Sequence, residues 1–200
     1  MKIQHYSTPR GVREVIATLC LGLFTAAAAP PLAQTPLLDE EWIGGFSHDV
    51  SDLGQGKESN TEDVMVEVDS GQPQALRFLG APRIGLSMAL NSAGLTNFGG
   101  LGLVWDVPIS GRLSGSLDLG MGLSDGVSHM PTGAAGAYDD RHRLLLGSKV
   151  LFREAGGLNW RLTDHWIIGA QFVHLSNGLI LAKDHNQGIN DAGVRLGYRF

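Results

Sequence analysis

Thiols are almost missing from this chain: its one cysteine, Cys20, sits inside an N-terminal apolar stretch. A disulfide framework and a cysteine-ligated metal site are thereby excluded. Beyond that stretch no apolar run reaches the roughly 18 residues of a membrane-crossing helix. A helix-based hydropathy scan would therefore read the chain as soluble, but such a scan has no power against barrels, whose lumen-facing positions dilute the apolar signal. A basic excess is lacking too. The formal charge is −5, and an acidic protein is a poor nucleic-acid binder. No histidine and carboxylate spacing matches a zinc or calcium motif, so neither a metal nor another cofactor is expected. His142, within Asp139-Asp140-Arg141-His142-Arg143, reads as a solvated edge that contacts lipid phosphates, and Asp184-His185 reads the same way.

Lys2, Arg10 and Arg13 precede an apolar run from Val15 to Ala29 that is rich in small residues near its end. This is the layout of a cleaved secretory signal, expected over residues 1–34, with cleavage between Ala28 and Thr35. The run is short for a bilayer span, and Pro30-Pro31 would stop a helix, which argues against a retained anchor. Removing it takes three basic residues and Glu14, so the remainder sits near −7. Residues 35–200 form one domain's worth of chain, with no second composition regime.

What that domain has is alternation. From Asp191 to Phe200, Ala192, Val194, Leu196, Tyr198 and Phe200 fall on one face, against Asp191, Gly193, Arg195, Gly197 and Arg199 on the other. Seven further period-two segments precede it: around 42–48, 63–68, 83–91, 99–105, 112–121, a blurred one near 144–152, and 166–172, where Trp166, Ile168, Ala170 and Phe172 share a side. Eight strands of roughly 9 to 11 residues, ending on an aromatic, predict an all-β fold: an eight-stranded antiparallel transmembrane β-barrel of the outer-membrane type. A barrel of that size is filled by side chains, so a pore is not expected. A soluble barrel or sandwich would turn its large aliphatics inward instead. With the C-terminus on the periplasmic side, loops 124–141 and 175–190 lie outside, and 106–111 and 154–164 turn inside. The 69–80 connection is long for its side.

One segment carries chemistry. Residues i and i+2 of a strand share a face, so His174 and Ser176 continue the outward row of the seventh strand. A neutral imidazole there would take the proton of a serine hydroxyl at the lipid boundary, where only substrates that live in the bilayer arrive. Asn190 shares the outward face of the eighth strand and would hold the ring as the third group of a triad. Asp191 is the better charge partner but points into the lumen. Asn177 reads equally well as a turn former or as a positioning residue.

The pattern His174-x-Ser176-Asn177-Gly178, then Asn186-x-Gly188-Ile189-Asn190, then Gly197-Tyr198-Arg199-Phe200 resembles the lipid A 3-O-deacylase family, the PagL-like acyl hydrolases of the Gram-negative outer membrane. Stretches 81–83, 90–96 and 100–105 are similar to the family's middle strands, so the likeness covers about residues 80–200. The resemblance implies an eight-stranded barrel that removes the ester-linked 3-O-acyl chain of lipid A, with lipopolysaccharide as substrate and outer-membrane lipids around it. It makes Ser176 the nucleophile and His174 the base. Asn186 and the backbone amides near Gly178 and Leu179 become oxyanion stabilisers, with Asn177 beside them. Two departures stand out: Asn190 replaces the family's glutamate, and the loop before it is about two residues longer. An amide can still orient the ring, as Cys-His-Asn enzymes show; Asp191 is the alternative acid. A non-enzymatic barrel that binds lipopolysaccharide, and a phospholipid hydrolase or acyltransferase on the same scaffold, are the competing readings. A homodimer is left open.

Overall fold

The computed structural model describes residues 36–50, 56–183 and 185–200. The expected signal peptide, residues 1–34, lies outside the described residues, as does Asp184. The rest is a barrel closed in chain order by eight antiparallel strands: β1 (Glu40–Ser47), β2 (Glu62–Asp69), β3 (Arg83–Asn91), β4 (Phe98–Ser110), β5 (Leu113–Ser124), β6 (Val150–Arg161), β7 (Trp166–Ser176) and β8 (Ile189–Arg199). β1 closes on β8, with Glu40 opposite Arg199 and Ser47 opposite Ala192. One rim carries the long connections, including helix α1 (Gly133–His142) between β5 and β6. The other carries tight turns at 111–112 and 162–165, and a 3-10 helix (Gln74–Leu79) in the long β2–β3 link.

Three expectations need correction. The sixth strand is not near 144–152 but runs Val150–Arg161. Its outward row of Val150, Phe152, Glu154, Gly156, Leu158 and Trp160 is interrupted by a carboxylate and a glycine, which hides the alternation. The leucines at 144–146 look like strand but form a buried loop segment. The 154–164 turn accordingly shrinks to 162–165. Likewise 106–111 is not a turn, since β4 stays paired with β5 to Ser110, crossing an irregularity at Pro108.

The outer wall is apolar: Leu86, Leu101, Leu119, Leu123, Ile168 and Val194 stand exposed along successive strands. At the turn rim Trp166 packs edge-on against Tyr198 with ring centroids 5.1 Å apart, and Tyr198 against Phe200 at 5.3 Å. This is an aromatic belt of the kind found where a barrel meets the membrane interface.

The lumen has two layers. Towards the turn rim it is ionic: Arg83 contacts Glu40 at 2.6 Å and Asp106 at 2.7 Å, and Arg195 contacts Glu67 at 3.0 Å. Arg153 pairs with Asp118 and, at 3.3 Å, with Glu67. The Arg195 guanidinium also lies 4.0 Å over the Trp42 ring. Towards the loop rim the lumen holds a buried polar cluster, with His48, Asp63 and Asp191, and beside it an apolar layer that alternation alone did not announce. Phe46, Met65, Phe98, Leu151, Val173, Leu175 and Ile189 meet there, and Leu144 and Leu146 descend from the β5–β6 connection to seal them. With two layers of side chains and a leucine stopper, the barrel has no open channel among the described residues.

The stopper is tied down by Glu58. Its carboxylate accepts from Arg143 Nε at 2.7 Å and from the backbone amides of Thr96 and Leu144 at 3.0 and 3.2 Å. Burial works against its charge, but hydrogen bonds from His48, Arg143 and Thr96 prevail and hold Glu58 at about 2.

Candidate active site

β7 ends at Ser176, and its burial alternates to that point, with Ile167, Gly169, Gln171, Val173 and Leu175 inside. His174 and Ser176 therefore stand on the outward face, both half-buried. Gly178, with φ +62°, then turns the chain out of the strand into the β7–β8 loop. On β8, Asn190 is the direct partner of His174 in the ladder. The His174 Nδ1 and Asn190 Oδ1 lie 2.7 Å apart, within hydrogen-bond distance. Asn190 is fully buried, and its Nδ2 has no partner among the described residues. Asp191, as expected, points into the lumen, where its Oδ1 accepts the backbone N–H of Asp49 at 3.1 Å.

The ring is also held edge-on. A Cβ placed on Gly188 would sit 2.8 Å from His174 Cε1, so only glycine allows the loop to pass the imidazole this closely. No hydrogen bond joins the His174 ring to the Ser176 hydroxyl among the described residues. His174 and Ser176 share a face, then, and a rotamer change or a bound molecule would be needed to bring them into contact.

The loop residues divide. Asn177 is fully buried: its Nδ2 donates to the carbonyls of Leu146, at 2.6 Å, and His185, and its Oδ1 accepts the Leu179 amide at 2.7 Å. Its side chain is thus wholly occupied in fastening the loop to the leucine stopper, and the Leu179 amide is occupied with it. Asn186 Oδ1 accepts the Asn177 amide at 2.8 Å, leaving its Nδ2 without a partner among the described residues. The Gly178 amide is equally free among the described residues. His142 ends α1 on the solvent side, its ring stacked on Tyr138 with centroids 4.4 Å apart, and His185 is exposed.

A carboxylate missed by sequence reading stands beside the histidine. Glu154 of β6 is the ladder partner of His174 on the side opposite Asn190, and it is exposed on the same outward face. Misplacing the sixth strand had put it in a turn; the signal that would have found it is the register of Val150 to Trp160. Further round the wall an apolar recess of about 610 Å³ is lined by Val68, Leu86, Met88, Leu101, Met121 and Leu123. Met121 pairs with Phe152 and Phe152 with Ser176, so one cross-strand row connects recess and hydroxyl.

Comparison with known proteins bears on the fold and the family. The chain is similar in fold to the crystal structure of the outer membrane enzyme PagL, with a TM-score of 0.54 and 11% identity over 80% of this chain and 99% of that one. It is similar also to Neisserial surface protein A (TM-score 0.54, 9% identity, 84% of this chain and 99% of that one). The N-terminal β-barrel domain of Pseudomonas aeruginosa OprF matches as well (TM-score 0.50, 12% identity, 84% of this chain and 100% of that one). A search of curated protein sequences finds no match. The fold is that of an integral outer-membrane barrel. The family model for lipid A 3-O-deacylase matches residues 82–199, the stretch that holds six of the strands and the whole His174 and Ser176 segment, and the chain belongs to that family.

Proposed function

We propose that the protein hydrolyses the ester-linked acyl chain at the 3 position of lipid A in the outer leaflet, with Ser176 as nucleophile and His174 as base. The observation that carries this reading is the 2.7 Å contact between His174 Nδ1 and Asn190 Oδ1, made on the lipid-facing side of the strand that ends in Ser176. With Oδ1 as acceptor, Nδ1 carries the ring proton and the Nε2 lone pair is left for the serine. His174 takes the Ser176 proton as Oγ attacks the acyl carbonyl carbon. The tetrahedral oxyanion is met by the free Gly178 amide and Asn186 Nδ2. Collapse breaks the ester bond, and His174 returns the proton to the departing sugar oxygen. Water, deprotonated by the same ring, then attacks the acyl carbon; the bond to Ser176 Oγ breaks, the ring returns the proton to Oγ, and the fatty acid leaves.

Asn190 orients the imidazole but brings no charge to the imidazolium that forms. Glu154 supplies the nearby negative charge instead, from the other flank and across the ladder. The apolar recess reached through Phe152 is suited to an acyl chain of a lipid positioned for cleavage. The test is mass spectrometry of lipid A from cells with and without the protein. Loss of one acyl chain is expected with the wild type, and a full acyl complement with Ser176→Ala or His174→Ala in barrels that still fold. Unchanged deacylation by both variants rules the reading out; shortened phospholipids with intact lipid A would point to the sister chemistry.

A further inference from the structure

Behind the lipid-facing face, at the loop rim of the lumen, three strands and a loop bring together groups that the proposed hydrolysis does not use. His48 follows β1, Asp63 lies near the start of β2 and Asp191 near the start of β8. All three are buried, at 1% exposure or less. The His48 Nδ1 lies 2.9 Å from Asp63 Oδ2 and 3.3 Å from Asp191 Oδ1, and one donor atom from each residue falls within 4.8 Å of the others.

Each donor is backed by a second group. Glu58 Oε2 stands 3.2 Å from His48 Nε2, which fixes the ring with Nδ1 facing the two aspartates. Asn91 Nδ2 donates to the other oxygen of Asp63 at 2.8 Å. The Asp49 amide donates to Asp191 Oδ1. Two fully buried oxygens, Asp191 Oδ2 and Asp49 Oδ1, have no donor among the described residues. A buried oxygen without a donor calls for a partner. Around His48 and Arg143, four carboxylates converge, those of Asp49, Glu58, Asp63 and Asp191.

We propose that His48 Nδ1, Asp63 and Asp191 form a structural site for a first-row divalent cation of the zinc type. Ligands about 2.0 to 2.2 Å from a tetrahedral ion lie roughly 3.3 to 3.6 Å apart, close to the spacings found here once the shortest opens by a few tenths of an ångström. An imidazole ligand favours zinc-like ions over calcium or magnesium, which take oxygen shells. A carboxylate behind a ligating imidazole is the usual outer support of such a site. In the metal-free protein a proton on Nδ1 bridges the ring to the aspartates; the ion takes its place and the proton leaves to solvent. Asp191 Oδ2 is available to complete the shell. The ion would pin the loop-rim ends of β1, β2 and β8, one residue from Asn190, without entering the hydrolytic step.

The test uses the barrel purified from outer membranes in detergent, stripped with EDTA and titrated with Zn²⁺ by calorimetry. One ion per chain is expected, with zinc absorption spectroscopy showing a histidine nitrogen and two or more oxygens at about 2.0 to 2.2 Å. His48→Gln and Asp191→Asn are expected to weaken binding at least about tenfold while keeping the heat-sensitive gel shift of a closed barrel. Glu58→Gln, which leaves all three donors in place, is expected to weaken it by about 10- to 100-fold. Absence of binding by the wild type, or affinity unchanged in His48→Gln and Asp191→Asn, overturns the proposal. So does preference for Ca²⁺ or Mg²⁺ over Zn²⁺. Should those variants fail to fold, a wild-type absorption spectrum without a histidine nitrogen overturns it equally.

Discussion

Asn190 is the residue at which this chain departs from the glutamate implied by the resemblance, and it makes the contact to the ring that a carboxylate would make. A neutral hydrogen bond there contributes about 0.5 to 1.5 kcal/mol, a charge-assisted one about 1.5 to 3. Asn190→Asp keeps the shape and adds the charge, so it is expected to raise kcat about five- to tenfold, read as the rate of fatty-acid release from lipid A in detergent. Glu154→Gln removes the carboxylate on the other flank. Ladder partners have Cβ atoms about 5 Å apart, and a charge at that range through a wet boundary acts on the imidazolium by on the order of 1 kcal/mol. The expected result is a kcat about fivefold lower with KM unchanged; an unaltered kcat would remove Glu154 from the account. Gly188→Ala drives a methyl into the ring edge and is expected to lower kcat at least about tenfold in a barrel that folds normally. His174, Ser176 and Asn190 were legible in the sequence because a period of two assigns sides without coordinates. Glu154 was not, because its relation to His174 depends on the register between β6 and β7. The His48, Asp63 and Asp191 cluster was invisible for a stronger reason: its members are 15 and 128 positions apart in the chain, so no spacing motif can hold them.

Among the elements, β6 shows how far periodicity can mislead. Arg153 is needed inside to meet Asp118 and Glu67, and its neighbours Glu154 and Gly156 break the outward apolar row. The leucines at 144–146 have the composition of a strand, yet they close the mouth of the barrel and belong to its core. A local pattern cannot tell a leucine that faces lipid from one that seals a lumen. The two roles respond differently to substitution. Leu146→Ala opens a cavity in a packed layer and is expected to cost about 2 to 5 kcal/mol by reversible unfolding in lipid or detergent. Arg153→Ala leaves buried Asp118 without its partner and Glu67 with Arg195 alone, at a cost of about 3 to 5 kcal/mol by the same measurement.

At the scale of the whole molecule, the eight-stranded closure follows from strand count and alternation, both of which the sequence displayed. What it did not display is the division of the lumen into an ionic floor and a ceiling where an apolar cluster lies beside a buried polar one, since side chains from all eight strands meet there. A lumen filled in this way conducts nothing, and single-channel recordings in planar bilayers are expected to show no steps. The distance between belt and serine has a further consequence. The 11 residues of β7 separate Trp166 at the turn rim from Ser176. At about 3.3 Å per residue and a tilt of about 45°, that is roughly 23 Å of depth, nearly the whole apolar band. The proposed hydrolase, working from that height, would reach esters in one leaflet of the membrane and none in the other.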